Sequence, residues 1–448
     1  MRAWQVRAWL LRLALAVVLV GASCEGGTND GMAQGPEEDM QGDMVEDKAM
    51  VVASEQLEGL ARANLEFGVA LYQQLRGDGE NIFLSPYSVS TALEMTYAGA
   101  AGPTEREMAE VLRLGYKGET LHSTAAALER RLLAAGELPK QENEPQTEQD
   151  KPERAVELYV ANRLWGQQGY PFKETFVEVL RRYYGSDLVQ VDFREAAAAA
   201  ERINGWVAQQ TRGMIKDLIS AGMFTELTRL VLTNAVYFKG RWEQPFNEKR
   251  TEAMMFRTAS GEEVEVQAMR QVGGFRYFKA PEAALLELDY AGSGLSMVVV
   301  LPEDSAQAPG LGRFEEELTA ERLSEWMGKL GHETVEIYLP RFKMETKYQL
   351  NGPLADMGMK TAFDSEAADF SGMTSREDLF IEVVVHQACV KVDEEGTVAA
   401  AATGVVMAVR AMPSKPVVFR ADRPFLVLIR EKQTGLVLFM GRVGNPLG

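Results

Sequence analysis

Apolar residues recur at helical spacing in the first segment able to build a core. Leu57, Leu60, Phe67, Leu71 and Leu75 share one face with Asn64, and Gly77 ends the run, which predicts an amphipathic helix. Residues 81–100, NIFLSPYSVSTALEMTYAGA, begin as a short apolar strand and turn into a helix, with Ser85 placed to cap it and Pro86 as its first residue. Residues 155–166 read as a strand, and residues 194–211 as a helix closed by Gly213. Residues 229–238, RLVLTNAVYF, form a continuous apolar, β-branched run, the pattern of a strand covered on both faces in the middle of a sheet. Further strands are expected at 296–301, 334–339, 381–392, 417–419 and 425–440, the last folded by a turn at 433–435. Helices come early and strands late, without a composition break after residue 155. The length of 448 residues alone would suggest two or three domains, but this order predicts one α+β domain on a large, mostly antiparallel sheet.

Three stretches stand outside that pattern. Arg2, Arg7 and Arg12 lead into an apolar run at 13–20 and then Gly21, Ala22, Ser23 and Cys24, which reads as an export signal over 1–23 rather than as fold. The run is too short to span a bilayer as a mature helix. Cleavage after Ala22, giving plain secretion, and cleavage before Cys24, giving a lipid anchor at a bacterial cell envelope, both stay open. The GASC end resembles a lipoprotein box, with Gly21 where a larger aliphatic residue is usual. Residues 24–56 are acidic, glycine-rich and poor in aromatics, the composition of a disordered linker, and the domain is expected over 57–448. Residues 136–154 carry Pro139, Pro145 and Pro152 among Glu and Gln, and read as a solvated surface insertion.

Composition narrows the function. A hydrophobic fraction of 46% and a charged fraction of 25% are those of an ordinary globular protein. A net charge of −18 argues against nucleic acid and against heparin as obligate partners, since both need a basic footprint. Two cysteines, Cys24 and Cys389, do not make a disulfide framework. The chain lacks a GxSxG elbow, a phosphate loop, a GxGxxG turn after a strand, and HExxH or CxxC pairs, so no metal or cofactor is expected. Of its three histidines, His122 reads as a helix surface residue, His332 as a loop residue, and His386 as a core hydrogen-bonding residue. Cys389, on the same strand as His386, reads as a buried, inert thiol.

The most informative stretch is 394–416. Four alanines, Ala399, Ala400, Ala401 and Ala402, would favour a helix by propensity. They follow a strand pattern, however, with Gly396 where the chain turns away and Thr397, Val398 and Thr403 around them. Such a small, uncharged run can extend and pair as a strand if a sheet opens to receive it. Arg410, between Val409 and Ala411, offers a cleavage point to a trypsin-like protease.

This stretch, EEGTVAAAATGVV (394–406), resembles the hinge of the reactive loop in the serpins, the serine protease inhibitor family. NIFLSPYSVSTAL (81–93) resembles the family's second-helix start, INGWVAQQTRGMIKDL (203–218) a helical segment, LTNAVYFKGRWEQPF (232–246) the central-sheet strand, and FRADRPFLVLI (419–429) with FMGRVGNP (439–446) the C-terminal signature. The resemblance runs in order from about residue 57 to 448, and departs at 136–154 and in a longer loop after Arg410.

It implies the serpin fold, with a central sheet A, further sheets, about eight or nine helices and an exposed reactive-centre loop. It implies a monomer that is not an enzyme, attacked by a target serine protease at Arg410–Ala411 and trapping that protease covalently as the cut loop enters the sheet. The family spacing counted from Glu394 gives this bond; a shift of two residues would make it Met412 or Ala408. The hinge would be Glu394, Glu395, Gly396, Thr397, Val398, Ala399, Ala400, Ala401, Ala402 and Thr403. Ser85, Ser88, Asn234 and His386 correspond to the shutter that holds the sheet closed, and Trp242 to the breach where the loop enters. The rivals are a serpin-fold carrier or chaperone without inhibition, and a secreted hydrolase.

Overall fold

A computed structural model of the chain describes residues 52–77, 79–135, 156–304, 310–397 and 415–448. The expected signal and most of the linker, Cys24 among them, the insertion at 136–154 and the loop at 398–414 lie outside the described residues. All that is described falls within one unit, Met50–Gly448.

The order begins with α1 (Ser54–Leu75), β1 (Ile82–Leu84), α2 (Pro86–Tyr97), α3 (Gly102–Val111), α4 (Gly118–Ala135), β2 (Val156–Gln167), α5 (Glu174–Tyr184), β3 (Leu188–Val191), α6 (Ala196–Gln210) and β4 (Leu230–Arg241). There follow β5 (Glu252–Arg257), β6 (Glu263–Lys279), β7 (Ala283–Asp289), β8 (Leu295–Pro302), α7 (Gly310–Glu316), α8 (Ala320–Gly328), β9 (Gly331–Pro340), β10 (Phe342–Gln349) and α9 (Asn351–Asp356). The chain ends with β11 (Val383–Val392), β12 (Gly396–Thr397), β13 (Val417–Arg420), β14 (Phe425–Glu431) and β15 (Val437–Val443). The nine α-helices among the described residues agree with the expected eight or nine.

Local signals behave as the sequence predicts. The Ser85 hydroxyl accepts from Ser88 N–H at the start of α2, and Pro86 is its first residue. Gly213 takes φ +77° just after α6, where an L side chain would be strained.

Two sheets carry the architecture. One has nine strands, ordered β1-β15-β14-β8-β7-β6-β9-β13 with β5 on β6. Its pairings are antiparallel except β9–β13. The other runs β10-β11-β4-β2-β3, with β12 on β4, and is mixed: β11 with β4 and β2 with β3 are parallel. Every residue of β4 from Leu230 to Phe238 is buried. The reason is that this sheet is covered on both faces. On one side α6 seats Ile203 and Val207 over Ala161, Trp165, Val231 and Val385, and on the other Leu232, Val236 and Phe238 enter the main core. A sheet buried on both faces selects an unbroken apolar run rather than alternation.

Two histidines differ from their expected places. His122 is buried, not at the surface of its helix: α4 packs on α5, and its ring lies 2.8 Å from the Tyr184 hydroxyl. Burial moves its pKa down to about 4. His332 is not in a loop but exposed on β9, opposite Arg276 of β6. Cys389 is buried as expected, and burial raises its thiol pKa.

Candidate functional site

The polar groups beneath the middle of the six-stranded sheet form one connected network. His386 of β11 and Asn234 of β4 are register partners, as are Asn234 and Asn162 of β2. The backbone N–H of Ser85 donates to His386 Nε2 at 3.0 Å, and His386 Nδ1 is hydrogen-bonded to Asn234 Oδ1. Those two bonds fix a neutral imidazole with its proton on Nδ1. Burial agrees, pushing the His386 pKa down to about 3. The Asn234 amide donates to both Ser88 Oγ and Asn162 Oδ1, and the Ser88 hydroxyl donates to Asn162 Oδ1 at 2.7 Å. Ser85 Oγ donates to the Leu438 carbonyl of β15 at 2.6 Å.

Ser85, Ser88, Asn234 and His386, grouped by the resemblance, lie together here, all of them at most 1% exposed. Asn162 joins them and was missed. Its signal is only a polar residue within a half-buried strand, and its partner lies 72 positions away.

At the upper end of the same sheet, β4 and β11 part. Their pairing runs from Val383↔Val231 to Cys389↔Tyr237, although β11 continues to Val392 and β4 to Arg241. The chain turns there: Asp393 N–H donates to the Gly396 carbonyl at 2.8 Å, and Gly396 N–H returns a bond at 3.2 Å. The chain then runs back antiparallel to β4, pairing Gly396↔Arg241 and Thr397↔Gly240. Gly396 has φ +137°, and a Cβ there would lie 2.1 Å from the Gly240 carbonyl oxygen. Only glycine fits this approach.

Trp242 holds the turn from below. Its indole N–H donates to the Asp393 carbonyl at 3.0 Å and its backbone N–H to the Glu395 carbonyl at 2.9 Å, while its ring stacks on Tyr290 with centroids 4.7 Å apart. Glu394 is 2% exposed. Its carboxylate pairs with Arg341 at 2.5 Å and accepts the Thr251 hydroxyl. Burial alone would raise its pKa; the Arg341 and Thr251 hydrogen bonds outweigh burial and hold it below the usual carboxylate range.

The described structure thus brings Glu394, Glu395, Gly396 and Thr397 to Trp242, while Val398 to Thr403 and the bond Arg410–Ala411 lie outside the described residues. Chain leaves the six-stranded sheet at Thr397 and re-enters the nine-stranded one at Val417, where β13 pairs with β9. Among the described residues no group of His, Cys, Asp and Glu is arranged to hold a metal ion.

A family model described as Serpin (serine protease inhibitor) matches residues 62–446. The chain is a serpin. Among its relatives, leukocyte elastase inhibitor of Bos taurus is 40% identical over 398 residues, covering 87% of this chain and all of that protein. Antithrombin-III of Homo sapiens is 37% identical, covering 86% of this chain and 82% of the relative. Uncleaved ovalbumin superposes with a TM-score of 0.73 at 31% identity, over 87% of this serpin and all of ovalbumin. The serpin fold expected from the motifs is the fold observed, and the relatives' names are those of protease inhibitors.

Proposed function

We propose that this serpin is an irreversible suicide-substrate inhibitor of Arg-specific, trypsin-like serine proteases. The target attacks the Arg410 carbonyl and forms an acyl-enzyme; cutting the bond to Ala411 frees the hinge. The hinge then continues down β4 as a new strand and carries the captured protease with it.

The observation that carries this reading is the pairing of Gly396 and Thr397 with β4 where β4 and β11 part. In this reading that antiparallel pairing is the start of an inserted strand, which residues 398–403 would extend. Those residues, 398–403, are small and uncharged, and no charge or proline interrupts 396–409. Alternate residues of an inserted strand face opposite sides of the sheet, so Thr397, Ala399, Ala401 and Thr403 would share one face. Ser85, Ser88, Asn234 and His386 act as the shutter in this scheme: extending the new strand means separating β11 from β4, which breaks the His386–Asn234 bond.

Arginine at the cleavage point suits a protease with a carboxylate in its specificity pocket, because a guanidinium pairs with it through two charged hydrogen bonds. The export signal sends the protein outside the cytoplasm, as a secreted monomer or on a lipid anchor at Cys24. Its acidity argues against a heparin-like partner. Incubation with trypsin tests the reading: the account expects a covalent complex that survives boiling in detergent. Clean cleavage without a complex would favour the carrier or chaperone alternative.

A further inference from the structure

Away from the hinge, α1, α2, α4 and α5 close on a cavity of about 20 Å³, room for one particle the size of a water molecule. On α2 it is lined by Tyr87, Ser90, Thr91 and Glu94, a spacing that puts all four on one stripe of the helix. Glu94 is 4% exposed, and its carboxylate meets no hydrogen-bond donor and no cation among the described residues. Burial therefore acts on it unopposed and raises its pKa to about 7. Its neighbours on the stripe do not relieve it. The Ser90 and Thr91 hydroxyls spend their protons on the Tyr87 carbonyl, at 3.1 and 2.8 Å, and have only lone pairs left to offer. The Glu129 carboxylate of α4 lines the same space, and no Lys or Arg does. A buried carboxylate without a donor or counter-charge is costly, and a positive ligand removes that cost.

We propose that this cavity takes up one dehydrated monovalent metal cation, of the sodium or potassium class, anchored by the Glu94 carboxylate with the Ser90 and Thr91 hydroxyl oxygens beside it. The volume excludes an organic cation. A divalent ion calls for several charged ligands, and among the described residues no group of three His, Cys, Asp and Glu is arranged to supply them. The net charge of −18 draws cations to the chain as a whole. A proton competes for the same carboxylate, so the cation is held more tightly as the pH rises through 7. Of the other groups around Glu94, burial keeps the Tyr87 and Tyr184 protons well above the usual tyrosine range, and His122, behind Tyr184, stays neutral down to about pH 4. Glu129, also raised by burial, acts in the same direction as Glu94, and α1 contributes only Leu60 and Asn64. The bound ion steadies α2, the helix that carries Ser85 and Ser88 at its N-terminal end. The proposal stands whether or not the chain inhibits a protease.

Thermal melting of the intact full-length protein at about pH 8 tests it, in potassium, sodium and choline chloride at one ionic strength, choline being too large for the cavity. At a salt concentration about ten times the dissociation constant, potassium or sodium should raise the melting temperature over choline by on the order of 3 °C. At about pH 6 the difference should shrink, because the proton then holds the site. Glu94→Gln keeps the shape without the charge and should melt alike in all three salts. Glu129→Gln, at a more exposed position, should lessen the difference. The proposal is overturned if the parent melts alike in the three salts at the higher pH, if its salt difference is as large at the lower pH, or if the difference persists in Glu94→Gln. Should Glu94→Gln fail to fold, an undiminished difference in Glu129→Gln overturns it. Stabilisation by calcium chloride but by neither monovalent salt would overturn it as well, since the site would then serve a divalent ion.

Discussion

His386 stays neutral in the folded protein down to about pH 3, whereas an unfolded histidine titrates near 6.5. The unfolded chain therefore binds more protons between those values, and this residue's contribution is complete above about pH 6.5 and falls by roughly 1.4 kcal/mol for each pH unit below it. His122, moved down to about 4, acts in the same direction. Buried Glu94 acts oppositely, because burial raises its pKa to about 7 and its contribution is lost as the pH rises. The informative readout is thus a difference between two proteins. Denaturant melts from pH 6.5 to 4.5 should show His386→Asn less stable than the parent at neutral pH, with a pH slope smaller by about 1.4 kcal/mol per unit. An unchanged slope would mean that the imidazole is not held neutral between Ser85 and Asn234.

At the scale of elements, the turn into β12 depends on one glycine and one tryptophan. Gly396→Ala places a methyl group against the Gly240 carbonyl and strains a backbone at φ +137°. The pairing of β12 with β4 should be lost. Trp242, bonded to the Asp393 carbonyl, reports the change: its fluorescence in the intact variant should shift to the red as water reaches the indole. An unchanged spectrum would show that the turn tolerates the methyl group. Thr397→Arg acts one residue later, by asking a charge to enter the sheet at the second inserted position. With trypsin, the variant should be cut as a substrate, and the molar ratio needed for inhibition should rise several-fold; an unchanged ratio would contradict insertion.

How much was legible in the sequence follows the same local geometry. Ser85 and Pro86 were readable because a cap and its helix are neighbours in the chain, and 229–238 because burial on both faces leaves an unbroken apolar run. Gly396 was legible as a turn, though its pairing with β4 was not. Residues that depend on distant partners were harder: Asn162 is defined by Asn234 and Ser88, and His122 by Tyr184. His332 looked like a loop residue because it sits between Gly331 and Glu333, yet its backbone pairs with β6 through the Arg276 register.

For the whole molecule, what matters is that the chain on either side of residues 398–414 is anchored in different sheets. The N-terminal side is fixed beside β4 by Gly396, Thr397 and the buried Glu394–Arg341 pair, and the C-terminal side on β9 by β13. Under the proposed inhibition, these anchors restrain the strand that starts at Gly396 and Thr397 while the chain is continuous. A cut at the proposed Arg410 bond would release one anchor from the other, and the free segment could then add ladder hydrogen bonds along β4. The proposed mechanism therefore requires an intact fold short of its lowest free energy, with the cut letting it fall.

Thermal melting of the intact protein beside the same protein nicked at residue 410 measures that directly. An added strand worth about 10 kcal/mol, at about 2 °C per kcal/mol for a chain of this size, should raise the melting temperature of the nicked form by on the order of 20 °C. Equal melting temperatures for the two forms would contradict the account, because no energy would then be released by the cut.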